Sequence, residues 1–365
     1  MIDPARFDPQ GFYTGMAESK SMLIRRDEVR WSERAEAPDR PVDALLAFGC
    51  AVQHTPHLML EATRVFDVLG IDYAAVTGKQ FCCGRPFGNL GGDAAAADRI
   101  SSRSYERFAA YGPNVTVQWC GACMLRYLEL GGTQRDAPYK VVHVSKYLSR
   151  LLRERGDAIP WQREVRARVV LHRHRESLPQ QDIDTESILD ILALIPGVEY
   201  AGTIEPPSAG APCAGTGPTS TSILNGLSAD EYRRAQGELE EQAARAGAAT
   251  LVTPYHRCQR EWSKFSSPRL AVREWMSLLA EALGVASEDR FSAYWHLADP
   301  DLVTALSRPE WESWGLTEDE ALAAARRHFT PQHAAEVQQC DCDSCGCGAV
   351  SAAAAPTATQ AATNN

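Results

Sequence analysis

Short apolar runs alternate with amphipathic segments along the first half of the chain. Runs at 43–49, 71–76 and 114–119 predict buried strands. Residues 57–70 and 93–111 lie between them and have the apolar spacing of helices. Alternation of strands and helices indicates a mostly parallel sheet.

The same order of elements returns further along the chain. Strands are predicted at 165–172, 198–202 and 249–254, and helices at 187–195, 219–227 and 229–247. The expected fold is therefore α/β, built from duplicated Rossmann-like units with mostly parallel sheets. A Gly-rich loop at 211–218 follows the middle strand of the second unit.

The pattern divides the chain into five parts. Residues 1–42 are polar without a clear period, and we expect an arm that lies on the body or on a partner. The two units are expected at 43–155 and 156–285, followed by a helical extension at 286–337. Residues 338–365 predict a Cys-rich and then disordered tail.

Length, charge and cysteine content favour an intracellular enzyme or enzyme subunit. The 365 residues are enough for one large core or two ordinary domains. A net charge of -10 argues against nucleic acid or an anionic membrane as partner. We expect no signal peptide and no membrane span, since no apolar run approaches the ~20 residues required. Eleven cysteines then indicate metal ligands or redox thiols in a reducing cytoplasm, not a disulfide framework.

Five cysteines follow the ends of predicted strands in the first unit. They are Cys50, the adjacent pair Cys82 and Cys83, and Cys120 and Cys123. Sites in parallel sheets form beyond the carboxyl ends of the strands, so we expect these thiols to meet. Iron–sulfur clusters and zinc both prefer thiolate ligands. Tetrahedral zinc takes four ligands, and the fifth cysteine points to a multi-iron cluster. A structural zinc site with a spare thiol is the alternative.

These residues carry a resemblance to a known family. The stretches AFGC at 47–50, FCCGRPFGNLGG at 81–92 and QWCGAC at 118–123 resemble the cysteine-rich CCG domain. That domain occurs in the cysteine-rich subunit of heterodisulfide reductase and in iron–sulfur subunits of glycolate and lactate oxidases. The resemblance implies that the five cysteines hold a noncubane 4Fe-4S cluster. An ordinary cubane cluster on four of them is equally compatible with the sequence. Gly84 can adopt a positive φ and let the backbone approach the cluster.

The second unit has lost most of the cysteines of this pattern. Cys213 and Cys258 remain, and near the other ligand positions lie His172, His174, Glu176, Tyr255 and His256. One interpretation is a mononuclear zinc or iron site that includes Cys213 and Cys258. Another is a substrate pocket with catalytic proton donors, namely His172, His174, Tyr255 and His256. A third is an eroded site whose cysteines are core residues.

The tail contains four more cysteines, Cys340, Cys342, Cys345 and Cys347. Such a tract can bind zinc or accept a cluster once its thiols lose their protons. It can also act as a flexible dithiol that carries electrons, or it can take up metal adventitiously.

The features together predict an iron–sulfur oxidoreductase component similar to the cysteine-rich subunit of heterodisulfide reductase. It would take electrons from a partner protein, either a flavoprotein or a ferredoxin-like protein. It would pass them to a small-molecule substrate between the two halves, such as a disulfide. No nicotinamide, flavin or ATP motif is present on the chain. The alternatives are an electron-relay subunit of a flavin-linked hydroxy-acid dehydrogenase and a non-enzymatic metal-binding or assembly protein.

Overall fold

The described strands form two four-stranded parallel sheets with the same strand order. The computed structural model describes residues 7–33, 37, 40–89, 91–133, 138–174, 179–213 and 223–330. The first sheet contains β1 (Ala44–Ala47), β2 (Tyr73–Val76), β3 (Val115–Gln118) and β4 (Lys140–His143), in the order β2-β1-β3-β4. The second contains β5 (Ala167–His172), β6 (Val198–Ile204), β7 (Thr250–Thr253) and β8 (Ala271–Glu274), in the order β6-β5-β7-β8. The duplicated α/β fold predicted from the sequence is confirmed.

Helices connect the strands and extend the fold at both ends. One helix, α1 (Pro9–Leu23), precedes the first sheet. The helices among the strands are α2 (Pro56–Val68), α3 (Arg85–Asn89), α4 (Ala94–Ala109), α5 (Gly121–Thr133), α6 (Val144–Arg155), α7 (Pro179–Leu194), α8 (Ala229–Arg245), α9 (His256–Trp262) and α10 (Trp275–Ala282). The helices after the second sheet are α11 (Arg290–Leu297), α12 (Pro300–Leu306), α13 (Arg308–Ser313) and α14 (Glu318–His328).

Local sequence explains where several of these helices begin and end. Pro56 occupies the first turn of α2, where its missing N–H costs no hydrogen bond. The chain leaves α2 through Gly70, whose φ of 57° favours glycine. A reciprocal capping box between Ser228 and Glu231 starts α8.

The two sheets share one continuous core. Buried apolar residues of β1, β3, β5 and the helices α2, α7 and α10 belong to a single cluster. The rings of Trp119 and Trp275 stack with their centroids 6.4 Å apart. The buried carboxylate of Glu61 on α2 accepts hydrogen bonds from the Ser277 hydroxyl at 2.6 Å and the Ser287 N–H at 3.0 Å. The two units are therefore held together by apolar packing and by hydrogen bonds to a buried charge.

The first helix was not expected from the sequence. Residues 1–42 showed no clear period, yet α1 packs along α2, α13 and α14. On this helix Met22 and Leu23 join a core cluster with Phe291, Trp311 and Phe329 of the C-terminal extension. The described part of the arm thus lies on the body of the molecule.

The expected domain boundaries remain predictions, although each sheet lies within the range predicted for its unit. The helical extension is present, and the tail at 338–365 lies outside the described residues. Among the described residues, none of the helices combines the length and apolar character needed to cross a bilayer.

Candidate metal centres

Five cysteines meet at the carboxyl edge of the first sheet. Cys50 follows β1, Cys82 and Cys83 lie between β2 and α3, and Cys120 and Cys123 lie where β3 turns into α5. Because β1 pairs with both β2 and β3, these three strand ends are neighbours. Cys120 is half-buried and the other four cysteines are buried. The structure therefore brings together all five cysteines that the sequence singled out.

The thiol groups form one chain of contacts. The Cys82 sulfur accepts hydrogen bonds from the thiols of Cys50 and Cys83. The Cys123 thiol contacts both Cys83 and Cys120 and completes the chain. These interactions lower the pKa of Cys82 to about 3. The Cys123 thiol likewise lowers the pKa of Cys120 to about 7.

This pattern of charge suits a metal centre. Hydrogen bonding to the Cys82 sulfur raises the pKa of Cys50, and hydrogen bonding to Cys120 raises that of Cys123. Negative charge therefore settles on Cys82 and Cys120, while their neighbours keep their protons. Metal binding replaces thiol protons and satisfies all the sulfurs together. The donor set fits a thiolate-bound cluster.

Two glycines make the close packing of these cysteines possible. Gly49, with φ 73°, precedes Cys50, and a Cβ there would lie 3.1 Å from the Cys123 sulfur. Gly84 has the predicted positive φ, 74°, and its N–H donates to the Cys82 sulfur at 3.4 Å. A Cβ at Gly84 would lie 2.3 Å from the Ala97 carbonyl oxygen, so its close approach is to α4. The glycine that faces the thiols is Gly49, which sequence reasoning missed.

The N-terminal helix covers the five cysteines. Phe12 and Met16, one turn apart on α1, pack in a buried cluster with Cys50 and Cys82. The Tyr13 hydroxyl donates a hydrogen bond to the Cys82 sulfur. Burial and the adjacent thiolate raise the pKa of Tyr13 well above its usual value. The only sequence signal for this cover was the spacing of Phe12 and Met16 on one helical face.

A second group of four side chains meets at the corresponding edge of the second sheet. The group consists of His172, His174, Cys213 and Cys258, with one ligand atom of each within 4.8 Å of all the others. His172 ends β5, Cys213 follows β6 and Cys258 lies in the first turn of α9. Three of the four are buried and His174 is half-buried.

The distances within this group are short. The Cys213 sulfur lies 3.2 Å from Nε2 of His172 and 3.4 Å from Nδ1 of His174. The same Nδ1 lies 3.5 Å from the Cys258 sulfur. Hydrogen bonds from the Cys258 thiol and from the two histidines hold the pKa of Cys213 well below its usual value.

Trp262 supports the group from behind. Its indole N–H donates to the Cys213 sulfur at 3.2 Å. Its ring packs on His172 with centroids 4.1 Å apart. Trp262 is fully buried, and nothing in the sequence pattern marked it as part of the site.

The first site coincides with a known sequence family. The family model of the cysteine-rich domain named CCG matches residues 46–126, which contain all five cysteines. Residues 46–126 are a CCG domain. This confirms the resemblance seen in the sequence.

Curated relatives of the chain belong to heterodisulfide reductases. The chain is similar to one subunit, designated D, of the dihydromethanophenazine:CoB–CoM heterodisulfide reductases of Methanosarcina barkeri and Methanosarcina mazei, with 22% identity over 166 residues. These matches cover 43% of this chain and 39% of each relative. The chain thus spans about two fifths of the length of these relatives. The similarity is distant and supports the general class of iron–sulfur redox subunit.

Tyr255 lies between the CCG domain and the second site. Its ring is 5.6 Å from that of His174, and its Cε1 would lie 3.4 Å from a Cβ on Gly121, between Cys120 and Cys123. Its hydroxyl donates to the Asp184 carboxylate at 2.9 Å. Nδ1 of His143 lies 3.5 Å from the other oxygen of Asp184. The sequence did not mark Asp184 or His143.

His256 stands apart from the four-residue group. The titratable neighbours that affect it are Arg257, His143 and Arg260, and its Nδ1 is buried without a hydrogen-bond partner among the described residues. Burial lowers its pKa to about 3. Glu176 and the tail cysteines lie outside the described residues.

Proposed function

We propose that the chain is the iron–sulfur subunit of a multi-subunit oxidoreductase and passes electrons from a partner protein to a small-molecule substrate. The observation that carries this proposal is the continuous chain of five thiols in the CCG domain. Five sulfurs exceed the four ligands of a mononuclear zinc site. The similarity to one component of a multi-subunit heterodisulfide reductase supports a subunit role.

The ligands of the 4Fe-4S cluster are proposed to be Cys50, Cys82, Cys83, Cys120 and Cys123. Cys82 contacts both Cys50 and Cys83, which favours a shared, extended iron site of the noncubane type over a cubane on four ligands. When bound, the cluster supplies one-electron transfer. The chain itself contributes a buried site under α1, a hydrogen bond from Tyr13 to Cys82 and close sulfur packing through Gly49.

A disulfide is the proposed substrate class. Its reduction needs two electrons and two protons and gives two thiols. A flavoprotein or ferredoxin-like partner is proposed as the electron source, because no flavin or nicotinamide motif occurs on this chain. The seven described cysteines are free, which supports a reducing cytoplasm as the compartment.

Of the four predicted catalytic residues, Tyr255 is the best placed to touch such a substrate. It lies between the two sites, and its hydroxyl is oriented by the buried carboxylate of Asp184. We propose that it positions the substrate by hydrogen bonding. A catalytic role for His256 remains a prediction.

A second candidate function is electron relay within a flavin-linked hydroxy-acid dehydrogenase. The second site favours it, because its four ligand atoms lie within 4.8 Å of one another. That spacing suits one ion and not an organic substrate. A relay subunit would show no reductase activity of its own with an artificial electron donor.

Metal analysis of protein purified without oxygen tests the proposal. We expect about four irons and four sulfides per chain, with an electron paramagnetic resonance signal after reduction or oxidation. The same values are expected after serine replacement of the tail cysteines, Cys340, Cys342, Cys345 and Cys347. Cys83→Ser should remove or convert the cluster, whereas the matched variant Cys213→Ser should keep its iron. Zinc without sulfide at the CCG domain would contradict the iron–sulfur assignment.

A further inference from the structure

The second sheet presents its own set of metal-binding side chains. His172, His174, Cys213 and Cys258 converge at the edge that corresponds to the cysteine site of the CCG domain. We infer that these four residues bind a single zinc ion in a closed tetrahedral site. This inference stands on a different donor set from the proposed function and does not depend on it.

The donor atoms already have the separation of a tetrahedral zinc site. With Zn–S of about 2.3 Å and Zn–N of about 2.0–2.1 Å, the vertices of a tetrahedron lie roughly 3.3–3.8 Å apart. Nδ1 of His174 lies 3.4 Å and 3.5 Å from the sulfurs of Cys213 and Cys258. Nε2 of His172 lies 3.2 Å from Cys213. Only small side-chain adjustments are needed to place one ion at the centre.

The same distances argue against a two-iron cluster. Two histidines and two cysteines also hold the Rieske type of centre, but there the histidines bind one iron and the cysteines the other. Such an arrangement separates the nitrogen donors from the sulfur donors. Here each histidine nitrogen lies within 3.5 Å of a cysteine sulfur, so all four donors face one point.

The surroundings favour a structural ion. Four protein ligands complete the coordination of zinc and leave no position for water, as in structural sites. Trp262 donates its N–H to Cys213 and packs on His172, the kind of support that orients ligands. A buried thiolate with a strong donor also carries less charge to compensate.

The ion would fix the second half against the CCG domain. Its ligands come from the end of β5, the segment after β6 and α9 after β7, so it ties together three neighbouring connections. Tyr255 precedes Cys258 by less than one helical turn and rests on Gly121 of the CCG domain. Zinc at this site therefore holds Tyr255 in place beside the cysteine cluster.

Zinc and iron content, measured together, test the inference. The full chain with its four tail cysteines replaced by serine should contain about one zinc, as four protein ligands specify. Cys213→Ser and His174→Ala, each in that background, should lose most of the zinc and keep their iron. His256→Ala is the matched control, because His256 is an adjacent buried histidine outside the group, and it should keep both metals. Cys83→Ser should keep zinc while it loses iron.

Cobalt substitution gives a readout that needs no destabilised variant. Co²⁺ in the unmutated site should show the intense visible bands of a tetrahedral ion and sulfur-to-metal charge transfer from two thiolates. Zinc retained in Cys213→Ser, iron without sulfide in place of zinc, or octahedral cobalt would overturn the inference. Absence of iron and sulfide with one zinc still bound would overturn the proposed function and leave this inference standing.

Discussion

At the scale of single residues, the hydrogen bonds to sulfur decide how charge is placed in the CCG site. The Cys82 sulfur receives donors from two thiols, from the Tyr13 hydroxyl and from the Gly84 N–H. Hydrogen bonds to cluster sulfurs are one of the factors that set reduction potential. Tyr13 is the one of these donors that a substitution can remove without changing a ligand or the backbone.

Tyr13→Phe is therefore expected to lower the midpoint potential of the cluster. Loss of one donor to Cys82 leaves more negative charge on the sulfur and disfavours the reduced state, by on the order of tens of millivolts. A redox titration followed by electron paramagnetic resonance measures this shift. Tyr73→Phe is the control, because the Tyr73 hydroxyl bonds to Thr63 and Asp67 instead. Equal potentials in wild type and Tyr13→Phe would contradict a role for Tyr13 at the cluster.

At the scale of elements, α1 separates the cysteine site from solvent. Met16 is 1% exposed and packs with Cys50 and Cys82 on the inner face of the helix. Thr14 lies on the exposed outer face of the same helix. The helix is held at its far end by the packing of Met22 and Leu23 on the C-terminal extension.

Met16→Ala is expected to weaken this cover. Truncation of a buried methionine costs about 2–5 kcal/mol in a well-packed core, part of which is lost here as local opening of α1. Iron should then be released several-fold faster in air, measured by the decay of the cluster absorbance. Thr14→Ala should decay at the wild-type rate. If both variants match the wild type, α1 does not limit the access of oxygen to the cysteines.

The elements also show what sequence patterns could and could not predict. Long apolar runs identified β1, β3 and β5, and strand ends placed the five cysteines correctly, since parallel strands direct their carboxyl ends to one edge. The edge strands β4 and β8 were missed because each has only four residues, half of them polar or charged. Helix α1 was missed because its apolar residues contact distant parts of the chain. Trp262 and Asp184 act through tertiary contacts, which no local spacing reveals.

At the scale of the whole molecule, buried carboxylates lie where the two halves meet. Glu61 on α2 bonds to Ser277 and Ser287 across this junction, and the neighbouring Glu274 caps α10. Burial is the main cause that raises the pKa of both groups above the usual range. Hydrogen bonds and the nearby His57 and Arg273 only partly offset this effect at Glu61. The junction thus contains a charge that opposes folding when it is ionised.

Glu61→Gln is expected to make the protein more stable at neutral pH than at acid pH, relative to the wild type. A carboxyl whose folded-state pKa is raised binds its proton more tightly in the folded state, so wild-type stability falls as pH rises from about 4.3, the usual value for glutamate. The amide can keep both hydrogen bonds, because its oxygen accepts from the Ser287 N–H and its nitrogen donates to the Ser277 hydroxyl. Thermal unfolding of both proteins at several pH values, with matched metal content, should show a gain in melting temperature that grows with pH. Glu106→Gln, on the exposed surface of α4, should show no such trend. A loss of stability in Glu61→Gln that is the same at every pH would mean that the hydrogen bonds of this carboxylate outweigh the cost of burying its charge.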